Sequence, residues 1–286
     1  MSSVFDDRPC ELGEGPLWHP ERRQLFWFDI LSKRLMTREN DAPRSWQFDE
    51  HVSAAGWVDR DTVLMASETG LWRFDLESGS KERVVALEAD NPTTRSNDGR
   101  ADPWGGFWIG TMGKNADRGA GAIYRFFQGE LHQLVPNVTI SNSICFSPDR
   151  SHAYYSDTIT GRVMRWRLNP ETGWPEGDAE VFLDLRDEKL NPDGAVVDAG
   201  GNIWIAQWGA ARVAAYDKDG QFIKKVAFDA AHTSCPAFGG EDLTTLFCTT
   251  AREMLDAETL KSQPTNGMTF AAINAGRGQP EHRVIL

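Results

Sequence analysis

Cysteine is scarce in this 286-residue chain. The four present, Cys10, Cys145, Cys235 and Cys248, form no C-x-x-C pair and match no common zinc or haem spacing. They read as reduced, half-buried small hydrophobes of a cytoplasmic protein. Basic charge is in deficit: 30 Lys and Arg against 42 Asp and Glu leave a net charge of -12. So acidic a chain repels nucleic acid and anionic membrane surfaces, which excludes both as generic partners. No apolar run approaches the ~20 residues that span a bilayer. Residues 1–8 show no basic leader before an apolar stretch, so no export is expected and the cytoplasm is the expected location. The six histidines, His19, His51, His132, His152, His232 and His282, have no ligand spacing and read as surface or turn residues. That argues against a His-based zinc hydrolase. G-x-S-x-G, Walker and G-x-G-x-x-G elements are also missing, which removes the common Ser-hydrolase, NTPase and Rossmann readings.

What is present is an ordinary globular balance, 40% hydrophobic and 25% charged residues, enough for a sizeable core. An internal repeat organises it. Six segments share one plan: a short apolar strand, a tight polar turn, then a strand rich in aromatic and β-branched residues. Gly15-Pro16-Leu17-Trp18, the turn 19–23 and Leu25-Phe26-Trp27-Phe28 make the first. Ala195-Val196-Val197, the turn 198–202 and Ile203-Trp204-Ile205-Ala206 make the fifth. Taking Gly15, Ala54, Gly99, Ser143, Gly194 and Pro236 as equivalent starts, the spacings are 39, 45, 44, 51 and 42 residues. A second hairpin follows in most units, as in Leu71-Trp72-Arg73-Phe74 before Glu77-Ser78-Gly79. Two hairpins per ~45 residues are four strands per unit, which describes a propeller blade. The expected fold is an all-β, six-bladed β-propeller with four-stranded blades, a single domain across residues 1–286. The Gly-His and Trp-Asp dipeptides of WD arrays are missing, and the Gly-Gly doublets lack kelch spacing. The blades differ most at their starts, on the face where ligand sites form, which favours an enzyme or a small-ligand site over a scaffold. Residues 252–261 read as one short helix, and residues 4–5 or 283–286 are expected to pair across the seam of the ring.

Four blade starts carry a carboxylate or an amide at nearly equivalent positions. They are Glu14 in Leu12-Gly13-Glu14-Gly15-Pro16, Asn97-Asp98 in Arg95-Ser96-Asn97-Asp98-Gly99-Arg100, Asn142 in Ile140-Ser141-Asn142-Ser143, and Asp193 in Asn191-Pro192-Asp193-Gly194. The innermost strands of a propeller line its channel, so these first residues converge at one mouth. Carboxylates and amide oxygens meeting there suit a hard divalent cation. Without one, the carboxylates repel each other, shift their pKa values and cost stability. Turn chemistry accounts for any one of these positions taken alone. Recurrence in register at four blade starts is what points to a site.

These residues resemble the regucalcin/gluconolactonase family of six-bladed propellers, whose members include sugar lactonases. The resemblance runs nearly end to end. It rests on Gly13-Glu14-Gly15-Pro16-Leu17-Trp18, on Asn97-Asp98-Gly99-Arg100 with Gly110-Thr111-Met112, and on Pro192-Asp193-Gly194. Cys235-Pro236-Ala237-Phe238-Gly239-Gly240 and Thr249-Thr250-Ala251-Arg252 extend it. By that resemblance Glu14, Asn142 and Asp193 are the ligands of a single divalent metal ion, Arg95 binds substrate oxygens, and Asn97 sits beside the metal, reaching it or, as a substrate-binding residue, the substrate. Asp193 doubles as general base, and the loop 113–121 acts as a lid. The family usually has Gly after the metal-binding Asn; Ser143 stands there instead, at a steric cost if the position needs positive φ.

The resemblance implies a metal-dependent hydrolase that opens a sugar lactone, an aldonolactone, to its aldonic acid. Calcium is the expected cation, with zinc, magnesium, manganese and ferrous iron as alternatives for an open oxygen site. A cation with open positions polarises the carbonyl and lowers the pKa of water, a carboxylate removes the proton, and Arg95 and Asn97 offer donors to ring hydroxyls. Two rival functions stand beside it: a calcium-binding regulatory protein without significant turnover, and a phosphotriester-type hydrolase on the same site. Arg95 and Asn97 next to the metal triad weigh against the first. Trp208 is either an apolar wall for a sugar face or plain core.

Overall fold

A computed structural model describes all 286 residues. Six four-stranded antiparallel sheets form the blades of a six-bladed β-propeller. The chain opens with β1 (Ser2–Asp6). Blade one is β2 (Gly13–His19), β3 (Gln24–Asp29), β4 (Arg34–Glu39) and β5 (Ala42–Gln47). Blade two is β6 (Val52–Trp57), β7 (Thr62–Ser67), β8 (Gly70–Asp75) and β9 (Lys81–Ala86). Blade three is β10 (Thr94–Ala101), β11 (Phe107–Gly113), β12 (Gly121–Phe127) and β13 (Glu130–Val138). Blade four is β14 (Ser141–Phe146), β15 (His152–Asp157), β16 (Arg162–Arg167) and β17 (Glu180–Asp184). Blade five is β18 (Asn191–Val197), β19 (Ile203–Trp208), β20 (Arg212–Tyr216) and β21 (Phe222–Ala227). Blade six is β22 (His232–Gly239), β23 (Thr245–Ala251) and β24 (Thr269–Ala272), completed by β1.

The apolar and polar residues sort along each blade by distance from the axis. The inner strands β3, β7, β11 and β14 are buried along their whole length, because a neighbouring blade covers each face. The outer strands β9 and β21 are mostly exposed and carry Lys81, Glu82, Arg83, Lys224 and Lys225. Charge at these edges blunts pairing with other chains. Six apolar clusters fill the six spaces between blades. Leu17, Phe26 and Phe28 of blade one, for example, meet Val63, Met65 and Phe74 of blade two. The tight turns use side-chain oxygens: Asp198 Oδ1 accepts from the amides of Gly200 and Asn202, both at 2.9 Å, and so closes the β18–β19 turn.

The N-terminus closes the ring. Val4 of β1 pairs with Phe270 of β24, as the 4–5 alternative requires. Residues 283–286 do not pair there. The last eleven residues instead form a strap across the channel mouth opposite the blade starts. Gln279 Nε2 donates to the carbonyls of Phe146 (2.9 Å) and Val197 (3.1 Å), the last residues of β14 and β18. Val284 N donates to Trp57 O and Ile285 N to Gly105 O, both at 2.9 Å. Glu281 pairs with Arg100, and both side chains are largely buried.

Three smaller expectations are corrected. The helix, α1 (Ala257–Ser262), begins later than 252 and is capped by Asp256. The amides of Arg252 and Glu253 donate to Glu11 O instead, and a tight turn with Met254 at φ +63 and Leu255 N donating to Arg252 O at 3.0 Å separates them from the helix. The four thiols are fully buried and free rather than half-buried. His19 is no surface residue; it is buried, with Nε2 donating to Asp59 O at 3.0 Å. No helix is long and apolar enough to cross a membrane.

Candidate active site

Every innermost strand shifts register at nearly the same place, beginning at one of its first three residues. The irregularities fall between Glu14 and Leu17, Val52 and Ala54, Ser96 and Gly99, Asn142 and Cys145, Pro192 and Ala195, and Thr233 and Pro236. A bulge re-aims the side chains around it. Here it turns Glu14, Asn97, Asn142 and Asp193 out of the alternating pattern at one mouth of the channel. Two of the bulges need a left-handed residue. Gly15 has φ +53, and a Cβ there would lie 2.2 Å from Ser53 O, so glycine is required. Ser143 has φ +59 at the equivalent point of β14. The penalty anticipated for Ser143 is therefore real, but its hydroxyl donates to Asp193 O at 2.6 Å and accepts from Ser156 Oγ at 3.0 Å.

A chain of hydrogen bonds ties three blades together at this mouth. Arg95 Nη1 donates to Asn97 Oδ1 (2.7 Å) and to Ser96 O (3.0 Å). Asn97 Nδ2 donates to Ser141 O (2.8 Å) and to Asn142 Oδ1 (3.3 Å). Asn142 Nδ2 donates to Thr158 Oγ1 (2.8 Å), which donates to Pro192 O (2.8 Å). With its nitrogen committed to Thr158, the Asn142 amide keeps its oxygen on the Asn97 side. Asp98 turns inward and accepts from Ile144 N at 2.7 Å, linking β10 to β14.

Arg95, Asn97, Asp98, Asn142 and Asp193 are all buried, as is Glu14, whose Oε2 accepts from Gly15 N at 3.0 Å. Burial, reinforced by the Asp98 charge, pushes the Glu14 carboxyl up to about 8. Burial, then Glu14 and then Asp98, drives Asp193 well above the usual carboxylate range. Asp98 itself is raised to about 6, mainly by burial. The Arg95 guanidinium is the nearby positive charge, and burial lowers its pKa. Three carboxyls thus face one another where removal from water opposes their charges. A divalent cation relieves that conflict. The available donors are two carboxylates and one amide oxygen, with no His or Cys among them, and this set suits a hard ion. No three His, Cys, Asp or Glu side chains gather in ligand geometry, so side-chain carboxylates alone do not make a ligand set, and Asn142 Oδ1 is a further oxygen at this mouth.

The rim is built from longer connections. Trp208 is partly exposed, stacks on His232 at 4.2 Å between centroids and also packs against the apolar cluster that holds Leu12 and Ala251. The loop 113–121 is pinned at both ends, by Lys114 N to Thr93 O (2.8 Å) and Gly119 N to Thr139 Oγ1 (3.0 Å). Lys114 Nζ also donates to Glu68 Oε2 at 2.6 Å. The burial of Asp98, the bridging role of Thr158 and the carboxylate of Glu253 carried no separate signal in the sequence. Glu253 follows Thr249-Thr250-Ala251-Arg252 directly, and that run was the available pointer.

The SMP-30/gluconolactonase/LRE-like region matches residues 12–252. An L-arabinolactonase of Azospirillum brasilense is 36% identical over 95% of this chain and 91% of its own length. A 6-deoxy-6-sulfogluconolactonase of Pseudomonas putida is 35% identical over 92% of this chain and 91% of its own. The crystal structure of a calcium-binding protein, regucalcin, from Agrobacterium tumefaciens superposes with a TM-score of 0.98 at 39% identity, covering 100% of this chain and 98% of that one. A channel mouth built from six in-register bulges and a family match spanning most of the chain agree: this protein belongs to the SMP-30/gluconolactonase/LRE-like family.

Proposed function

We propose that this protein is a divalent-cation-dependent lactonase that opens a sugar lactone, an aldonolactone, to the aldonic acid. The observation that carries the reading is the convergence of Glu14, Asn142 and Asp193 beside the Arg95–Asn97 donor pair at one channel mouth. Lactonases among its relatives support the reaction class. Glu14, Asn142 and Asp193 would hold the cation, and calcium suits their all-oxygen set best. When bound, the cation supplies a Lewis acid for the lactone carbonyl and a countercharge for the two carboxylates.

The chain's own residues do the rest. Arg95, fixed by its bond to Asn97, presents its remaining N–H groups to substrate oxygens and orients the ring. An oxygen of Asp193 accepts a proton from the water that attacks the carbonyl carbon. The bond from that carbon to the ring oxygen breaks, and the proton passes to the ring oxygen, which leaves as a hydroxyl. Ser143 holds the Asp193 backbone through this exchange. Trp208 offers an apolar wall at the rim. The four free, buried thiols fit a reducing compartment, and we assign the activity to the cytoplasm.

The test is pH-stat hydrolysis of a panel of aldonolactones and one phosphotriester, by cation-stripped protein and after adding calcium, magnesium, manganese, zinc or ferrous iron. Lactone hydrolysis that disappears on stripping and returns with a cation is the expected result. Calcium binding without turnover, or turnover of the phosphotriester alone, would replace the lactonase reading. The first of these is favoured by the calcium-binding description of the Agrobacterium regucalcin.

A further inference from the structure

A fourth carboxylate faces the channel mouth with no task in the arrangement above. Glu253 follows β23, and its backbone is held on three sides. Its amide and that of Arg252 both donate to Glu11 O, at 2.9 and 3.1 Å, and Ala251 bridges to Leu12. His232 Nδ1 donates to Glu253 O at 3.0 Å while its ring lies against Trp208. The stretch carrying Glu253 is thus fixed beside the start of β2, next to Glu14. Its side chain is half-buried, further out than Glu14 and Asp193.

No protein donor reaches the Glu253 carboxylate; Arg95 is the charge that attracts it. Conversely, Glu253 is the foremost attractive charge on Arg95, ahead of Glu14. Only Nη1 of Arg95 is engaged by protein acceptors, so Nε and Nη2 remain as free donors. Free donors on Arg95 and a free acceptor on Glu253 therefore lie within electrostatic reach of each other at the mouth. A hydroxyl satisfies both, accepting from Arg95 and donating to Glu253. A sulfonate, phosphate or carboxylate oxygen accepts only, leaves Glu253 unpaired and meets its negative charge.

Resting on the lactonase reading, we propose that Glu253 and Arg95 together read a hydroxyl at the end of the lactone remote from its carbonyl, which makes Glu253 a specificity-determining residue that favours hydroxyl-bearing over anionic substrates. The remote end is assigned because the carbonyl belongs with Asp193 deeper in the channel and Glu253 lies nearer the opening.

The experiment measures kcat and KM, at saturating divalent cation, for glucono-1,5-lactone, its 6-deoxy analogue and its 6-deoxy-6-sulfo analogue. Wild type, Glu253→Gln and Glu253→Asp are compared. Wild type should prefer the hydroxyl-bearing lactone to the sulfonated one. Glu253→Gln should raise KM for the hydroxyl-bearing lactone about tenfold, the effect of one charge-assisted hydrogen bond, with a smaller change in kcat. It should lower KM for the sulfonated lactone, so that the preference collapses, while KM for the 6-deoxy lactone moves within about twofold. Glu253→Asp keeps the charge and should retain the preference. If all three substrates shift by one factor, or the preference survives in Glu253→Gln, the hydroxyl assignment is wrong while the lactonase reading stands. If wild type hydrolyses none of the three but opens another aldonolactone of the panel, the hydroxyl assignment at this end is overturned; if it opens no lactone at all, the lactonase reading fails and the assignment falls with it.

Discussion

Replacing Ser143 separates two opposed contributions at the Asn142 corner. Its backbone lies at φ +59, where a Cβ costs about 1 kcal/mol relative to glycine. Against that, its fully buried hydroxyl bonds to Asp193 O and to Ser156. Two such bonds contribute roughly 2 kcal/mol together. Ser143→Ala keeps the strained Cβ and loses both bonds, for an expected loss of about 2 kcal/mol. Ser143→Gly loses the same bonds but relieves the strain, for an expected loss of about 1 kcal/mol. In a chain of this length each kcal/mol is worth ~2–4 °C. By differential scanning calorimetry the Gly variant should melt a few degrees below wild type, and the Ala variant lower again. Both lose the tether on Asp193, so calcium affinity by titration calorimetry should fall by similar factors in the two. A Gly variant melting above wild type would mean that strain outweighs the hydroxyl's bonds. An Ala variant as stable as the Gly variant would mean that this corner does not require positive φ at all.

Asp193→Asn retains an oxygen ligand but loses a charge and the proton acceptor. Cation affinity should fall, and kcat should stay ~10²–10⁴-fold low even at saturating cation; full rescue by excess cation would leave Asp193 a ligand only. Arg95→Ala should mainly raise KM with calcium affinity nearly intact, the pattern of lost uniform binding, and a variant that no longer binds calcium would contradict its place on the substrate side. In cation-free protein the Glu14 carboxyl, held up at about 8, favours the protonated folded state. Its contribution is fully present below the unfolded value of 4.5 and is lost as pH rises through 8. Urea denaturation should therefore show stability declining from pH 5 to 8 without calcium and a much flatter profile with it; identical profiles would rule out a cation at Glu14. Deleting residues 283–286 removes buried Val284 and two backbone bonds. It should lower Tm by several degrees at ~2–4 °C per kcal/mol. Deleting residues 1–6 opens blade six and should cost more, and the reverse order would misplace the seam.

The propeller was legible because each blade repeats a local signal: two hairpins with turn residues at fixed offsets and strands of matching polarity. The starts aligned by spacing, Gly15 through Pro236, all fall at or just past a bulge. The recurrence of Glu14, Asn97, Asn142 and Asp193 was legible for the same reason. What escaped has no repeat behind it. The strap of residues 276–286 has neither strand period nor partner pattern, since its bonds go to the ends of unrelated strands. Glu253 and Thr158 act through contacts between blades, which spacing along the chain does not encode. The helix begins later than its composition indicated because Met254 takes a left-handed conformation in the turn after Glu253, and no helix runs through it.

The closure of blade six by β1 also governs what can exist while the protein is being made. β1 is made before all six blades, yet its partner β24 appears only at Thr269–Ala272. Until then blade one, with Glu14, is joined to blade five only the long way round, through blades two, three and four, and has no closed junction to blade six. A nascent or proteolytically shortened chain holds the pieces of the site on an open arc of blades. The blade-three to blade-five side of the mouth can form first, and the circle of its residues is complete only when the ring closes.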